Sequence, residues 1–123
     1  MSNRKLILGS VAVLAILAVL WFIEDSKPGN YDEFAQCLTE SNATFYGTYW
    51  CPHCSEQKEE FGKSMKYVNY VECSLPNQAG QTQVCSDAGI HGYPTWIFDD
   101  GTRMPGKLSF EQLSTLSGCP LPS

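Results

Sequence analysis

Four consecutive residues, Cys51-Pro52-His53-Cys54, preceded by Trp50, are where this chain can do chemistry. Two thiols three positions apart can close into a disulfide and open again, and at the start of a helix such a pair is presented to other proteins. With Cys51 capping a helix and Pro52 as its first residue, the Cys51 sulfur faces unpaired backbone N-H groups and the positive end of the helix dipole, which favours thiolate over thiol. Cys51 is therefore the expected nucleophile. Cys54, one turn further in and shielded by the helix, is the expected resolving thiol, which attacks the mixed disulfide and releases the partner. His53, when protonated, adds a second charge that favours thiolate. A stabilised thiolate stabilises the reduced form and raises the reduction potential. Pro-His between the cysteines thus points to donating disulfides, where Gly-Pro would point to reduction.

The same motif is also half of a zinc site. Eighteen residues separate Cys54 from Cys73, a spacing that a zinc ribbon tolerates, but eleven separate Cys73 from Cys85 where two are required. No metal and no cofactor is expected. His53 outside this motif would read as an ordinary surface residue.

The second informative segment is the N-terminus. Arg4 and Lys5 precede an uncharged apolar run over residues 6–23. As a helix this run spans about 27 Å, close to the hydrocarbon thickness of a bilayer. A cleaved signal peptide has a shorter apolar core ending in small residues, whereas this one ends in Leu20-Trp21-Phe22-Ile23 before Glu24-Asp25, with no Ala-x-Ala-like site. The expectation is an uncleaved signal anchor: residues 1–5 cytoplasmic, 6–23 in the membrane with Trp21 at the outer interface, and the rest of the chain outside the cytoplasm.

Cysteine usage agrees with that orientation. Six cysteines in a short exported chain suit an oxidising compartment. With Cys51 and Cys54 as one pair, Cys37, Cys73, Cys85 and Cys119 retain three possible connectivities. Pairing Cys73 with Cys85 staples the irregular stretch from Ser74 to Gly80, and Cys37 with Cys119 then joins the ends of the domain. The alternative for Cys37 is a free thiol packed on a helix face as a small hydrophobe. From Glu24 onward there are six basic against thirteen acidic residues, a net of −7, scattered along the chain. Nucleic-acid binding is disfavoured and solubility accounts for the charge.

Residues 24–29 read as a linker, residues 30–120 as one domain and 121–123 as a tail. Asn30 with Glu33 forms a capping box for a helix over 31–40, whose apolar face holds Phe34, Cys37 and Leu38. Residues 43–49 read as a strand running into the cysteines, 52–65 as a helix with Gln57, Phe61 and Met65 on one face, and 67–73 as a second strand. A short helix follows over 82–88, then a strand over 93–98 that starts at Pro94, a hairpin turn at Asp99-Asp100-Gly101, a strand over 102–104, and a last helix capped by Ser109 and Gln112 and ended by Gly118.

This order, with Trp50-Cys51-Pro52-His53-Cys54 and Gly92-Tyr93-Pro94-Thr95, resembles the thioredoxin fold: an α/β, three-layer domain with a central mixed sheet, here preceded by one transmembrane helix. The resemblance implies that Pro94 is cis and lies against the cysteine pair, and that Trp50, Tyr93, Pro94 and Thr95 contact substrate. The run from Phe45 to Cys54, with Gln57-Lys58, Phe61-Gly62, Tyr70-Val71-Glu72-Cys73 and Gly92-Tyr93-Pro94-Thr95-Trp96, is similar to the thioredoxin-like domains fused to, or working beside, vitamin K epoxide reductase homologues. That similarity implies oxidation of exported protein thiols, re-oxidation by a separate quinone-coupled membrane protein, and an extra disulfide matching Cys73 and Cys85. In thioredoxins more broadly an acidic residue lies six positions before the first cysteine. Phe45 stands there instead, so proton transfer to Cys54 needs water or another group. Two other readings share the sequence: an extracytoplasmic reductase or isomerase, and a non-enzymatic module that binds metal or peptides.

Overall fold

The computed structural model describes residues 2–25 and 29–122, without the side chains of Ser2, Glu24 and Asp25. Ser26-Lys27-Pro28, half of the expected linker, and the terminal residues Met1 and Ser123 lie outside the described residues. Helix α1 runs from Ser2 to Asp25. Its stretch Asn3–Ile23 is long and apolar enough to cross a membrane, and its side chains stand exposed.

Beyond α1 the elements are α2 (Asp32–Glu40), β1 (Thr44–Gly47), α3 (Pro52–Phe61), β2 (Tyr70–Glu72), α4 (Gln83–Asp87), β3 (Thr95–Ile97), β4 (Arg103–Pro105) and α5 (Phe110–Ser117). The strands form one mixed sheet in the order β2-β1-β3-β4, with β1 parallel to β2 and antiparallel to β3. This is the thioredoxin-like arrangement that the sequence predicted, with one apolar helix before it.

Strand periodicity divides the core. Phe45 is paired with Tyr70 on one side and Trp96 on the other, so these three rings share a face of the sheet. Phe45 stacks on Trp96 at 5.0 Å and meets Tyr70 edge-on at 5.0 Å. Phe34 of α2, Phe61 of α3 and Phe110 of α5 join them in a single aromatic core that also contains Cys51 and Cys54. The opposite face carries Tyr46, Val71 and Ile97, packed against Cys73, Cys85 and Ile90. The helices α2, α3 and α5, the sheet, and α4 with its adjoining loop are the three layers.

Two disulfides tie this frame, Cys37–Cys119 across α2 and the end of α5, and Cys73–Cys85 under the second face. Cys37 is thus bonded, and the free-thiol alternative falls. The last helix has its capping box, Gln112 N-H on Ser109 Oγ at 3.1 Å and Ser109 N-H on Gln112 Oε1 at 2.9 Å, and ends at Gly118 with φ 79°.

Three local expectations are corrected. Asn30 and Glu33 do not box α2: Tyr31 holds the cap position without a side-chain bond, while the Asp32 carboxylate accepts from Gly29 N-H at 3.1 Å and Ser64 Oγ at 2.8 Å. An acid in the first turn is favoured by the helix dipole, and this one is additionally anchored to a distant segment through Ser64. The helix expected over 52–65 stops at Phe61, because Gly62 takes φ 54° and a 3₁₀ turn, Gly62–Tyr67, follows. The strands are shorter than their apolar runs, since β2 is three residues and Tyr67 belongs to that turn.

Loop length orders the two disulfides energetically. Cross-links separated by 82 and 12 residues remove unfolded-state entropy worth about 4.5 and about 3 kcal/mol respectively. Urea unfolding is expected to show a larger loss for Cys37→Ala/Cys119→Ala than for Cys73→Ala/Cys85→Ala, and the reverse order would contradict the entropic account.

Candidate active site

The sheet delivers the cysteine pair. β1 ends at Gly47, three residues turn outward, and Cys51 sits at the cap of α3 with extended backbone, φ −82° and ψ 119°, followed by Pro52 in the first helical position. Proline is preorganised there and has no N-H to lose. Cys51 Sγ accepts the N-H of Cys54 at 3.2 Å, so sulfur occupies the place where a serine or aspartate oxygen ordinarily caps. Such a bond strengthens when the acceptor becomes an anion. Cys51 retains 5% exposure and Cys54 none, so an incoming thiol can reach only the first sulfur.

Cys54 lies in a dry corner. Burial pushes its thiol up to about 12, the hydrogen bond and charge of Cys51 add to this, and the Thr48 backbone and the Lys58 ammonium oppose it. Gly47 lets the strand come close: a Cβ there would lie 3.0 Å from Cys54 Sγ and 3.1 Å from the Tyr70 ring, so a larger residue makes these side chains give way. Tyr70 carries Lys58 Nζ 4.0 Å above its ring and donates its hydroxyl to Glu72 at 2.9 Å. Burial, then Glu72, drives its phenol upward, so it stays protonated. Phe45, where thioredoxins have an acid, is fully buried among rings. Lys58, Tyr70 and Glu72 are the polar groups gathered on this side of Cys54, and the Thr48 hydroxyl is buried without a partner among the described residues.

The remaining predicted site residues form the rim. His53 points outward, 70% exposed, with Nδ1 3.2 Å from the Glu56 carboxylate, which offsets any positive charge on the ring. Trp50 meets Tyr93 edge-on at 5.9 Å. The Tyr93-Pro94 peptide is cis. Pro94 and Thr95 are buried, Thr95 Oγ1 donating to Gly92 O at 2.7 Å. The structure therefore brings Trp50 and Tyr93 together beside the pair and turns His53 away. A depression of about 510 Å³ lies against α2 and the C-terminal segment, and none of residues 50–54 or 93–95 lines it.

Gln57 is a supporting residue whose role the sequence did not disclose. Fully buried, it accepts from Trp96 Nε1 at 3.1 Å and Leu108 N-H at 2.8 Å and donates to Leu108 O at 3.1 Å, locking the cysteine helix to β3. Its apolar-face spacing showed that it points inward, and a glutamine at such a position signals partners waiting in the core. Thr48, in a strand-end run rich in polar and aromatic residues, gave no such signal.

No family profile matches the chain. Over 88 residues, 68% of its length, it is 40% identical to the thiol-disulfide oxidoreductase LTO1 of Arabidopsis thaliana, and the matched part is 23% of that protein. The chain thus spans under a quarter of the relative it matches.

The buried thiol has a consequence for stability. Folded Cys54 holds its proton to about 12, whereas the ordinary value is 9.0. Between those limits the unfolded chain binds fewer protons than the folded one, so reduced protein loses stability as pH rises through about 9 toward about 12. Urea unfolding at about pH 8 and about pH 10.5 is expected to show a steeper fall for the reduced wild type than for Cys54→Ala. Parallel falls would remove burial of this thiol as the cause.

Proposed function

We propose that the chain is a membrane-tethered thiol-disulfide oxidoreductase that donates disulfides to exported proteins. The observation that carries this reading is the Cys51 sulfur receiving the helix-start N-H of Cys54, with Cys54 wholly buried behind it. In the oxidised form a client thiolate attacks Cys51 Sγ. The Cys51-Cys54 bond breaks, and its electron pair leaves on Cys54, which takes up a proton. A second client thiolate then attacks the client sulfur of the mixed disulfide and expels Cys51 as thiolate. The client loses two electrons and gains a disulfide, and the pair becomes a dithiol. The helix start favours this direction because it stabilises the Cys51 anion that leaves last. Trp50 and Tyr93 flank the approach, and the cis Pro94 presents the preceding Tyr93 backbone to an extended client.

The LTO1 likeness supports thiol-disulfide exchange as the reaction class. The span in α1, the Arg4 and Lys5 before it and the two formed disulfides support a domain anchored in a membrane and facing an oxidising compartment. Re-oxidation by a quinone-coupled membrane protein of the vitamin K epoxide reductase type is the partner reading. It rests on the sequence motifs from Phe45 to Trp96 and on the gain in effective concentration when both proteins share a membrane.

Full-length Cys54→Ser retains the thiol that forms mixed disulfides by attacking client disulfides, and lacks the one that would expel the client by closing the Cys51-Cys54 bond. Expressed in cells and run on non-reducing gels, it is expected to carry reductant-sensitive adducts with exported proteins, whereas Cys51→Ser carries none. Adducts on Cys51→Ser alone would reverse the roles, and adducts on neither would reject the proposed activity.

A further inference from the structure

The segment between Cys73 and Cys85 reaches back to the site from the far face of the sheet. Ser74 Oγ accepts Trp50 Nε1 at 2.9 Å, Gln81 Nε2 donates to the Tyr93 hydroxyl at 2.8 Å and to Ile90 O at 2.8 Å, and Gln78 N-H donates to the Tyr49 hydroxyl at 3.0 Å. Ser74 and Gln81 are themselves bridged, so one short stapled loop holds all three aromatic residues beside Cys51 and Pro94. Large hydrophobic side chains exposed outside α1 are few among the described residues. Tyr49, Trp50, Leu75 and Val84 account for all but Leu121, and they fall either beside the cysteine motif or within the stapled segment.

We propose that the loop closed by Cys73 and Cys85 sets client specificity: Ser74 and Gln81 are positioning residues that fix Trp50 and Tyr93 as a wall for an unfolded segment carrying an apolar side chain next to its cysteine. This rests on the exchange activity proposed above and names its substrate class. A ring held by a hydrogen bond at its edge keeps one orientation and loses less freedom when a client packs on it, so the loop acts on binding rather than on the exchange step. An exposed apolar surface next to a reactive sulfur is also what distinguishes unfolded clients, whose apolar residues are still accessible, from folded ones.

The test follows single-turnover reduction of oxidised full-length protein in detergent by an excess of either of two reduced peptides that each carry a pair of cysteines flanked by leucine or serine, or of dithiothreitol as a small thiol. KM and kcat here denote the half-saturating concentration and limiting rate of that one turnover. Wild type is expected to show a lower KM for the leucine peptide than for the serine peptide. Ser74→Ala and Gln81→Met are each expected to raise KM for the leucine peptide about three- to tenfold, the range for losing one hydrogen bond's net contribution, with kcat near wild type. Ser74→Thr, which keeps the hydroxyl, is expected to restore the wild-type KM. Equal KM values for the two peptides in wild type, or rates in both variants that fall in the same ratio for dithiothreitol and peptide, would overturn the specificity role while leaving the activity standing. A wild type that exchanges with neither thiol would remove the activity and this inference with it.

Discussion

A single hydrogen bond, from the Cys54 N-H to the Cys51 sulfur at the start of α3, organises the chemistry of this protein. It joins three requirements that conflict elsewhere. The nucleophilic sulfur must be accessible, yet its charge must be stabilised, and its partner thiol must be close but shielded. Placing the first sulfur at the helix cap meets the first two, because the N-H groups of the helix start point to the sulfur that the proposed exchange would use. One helical turn then puts Cys54 inside the core, where burial keeps it protonated. The asymmetry between the thiols follows from the geometry of a helix terminus.

The rest of the fold holds that terminus in place. Gly47 allows β1 to approach Cys54, and Gln57 bolts the helix to Trp96 and Leu108 with three hydrogen bonds in the dry core. Phe45, Tyr70 and Trp96 give this face of the sheet its rigidity. On the other face the core is small, with Cys73, Cys85 and Ile90 as its buried members. A disulfide there compensates for apolar area that so short a sheet cannot supply. The same staple supports the aromatic rim, so stability and presentation of the site share a component.

Much of this was legible in the sequence because the signals were local. The cysteine helix followed from Pro52 after Cys51, the last helix from Ser109, Gln112 and Gly118, and the hairpin from Asp99-Asp100-Gly101, each a feature in which adjacent residues settle the backbone. What escaped depended on partners distant in the chain. The Asp32 and Ser64 contact displaced the expected Asn30 cap, and Gln57 became a core clamp because Trp96 and Leu108 met it there. The cysteine pairing lay between these cases. Spacing reduced it to a few choices, and only the approach of α2 to the end of α5 selected Cys37 with Cys119.

The most direct test of the central claim is the reduction potential of the Cys51 and Cys54 pair, measured by equilibrating the full-length protein with glutathione buffers and quantifying thiols by alkylation. Stabilisation of the Cys51 anion by the helix start predicts a value well above that of a reducing thioredoxin, toward the about −120 mV of strong oxidants. A value near about −270 mV would contradict it, because the same geometry would then be delivering electrons to clients instead of disulfides.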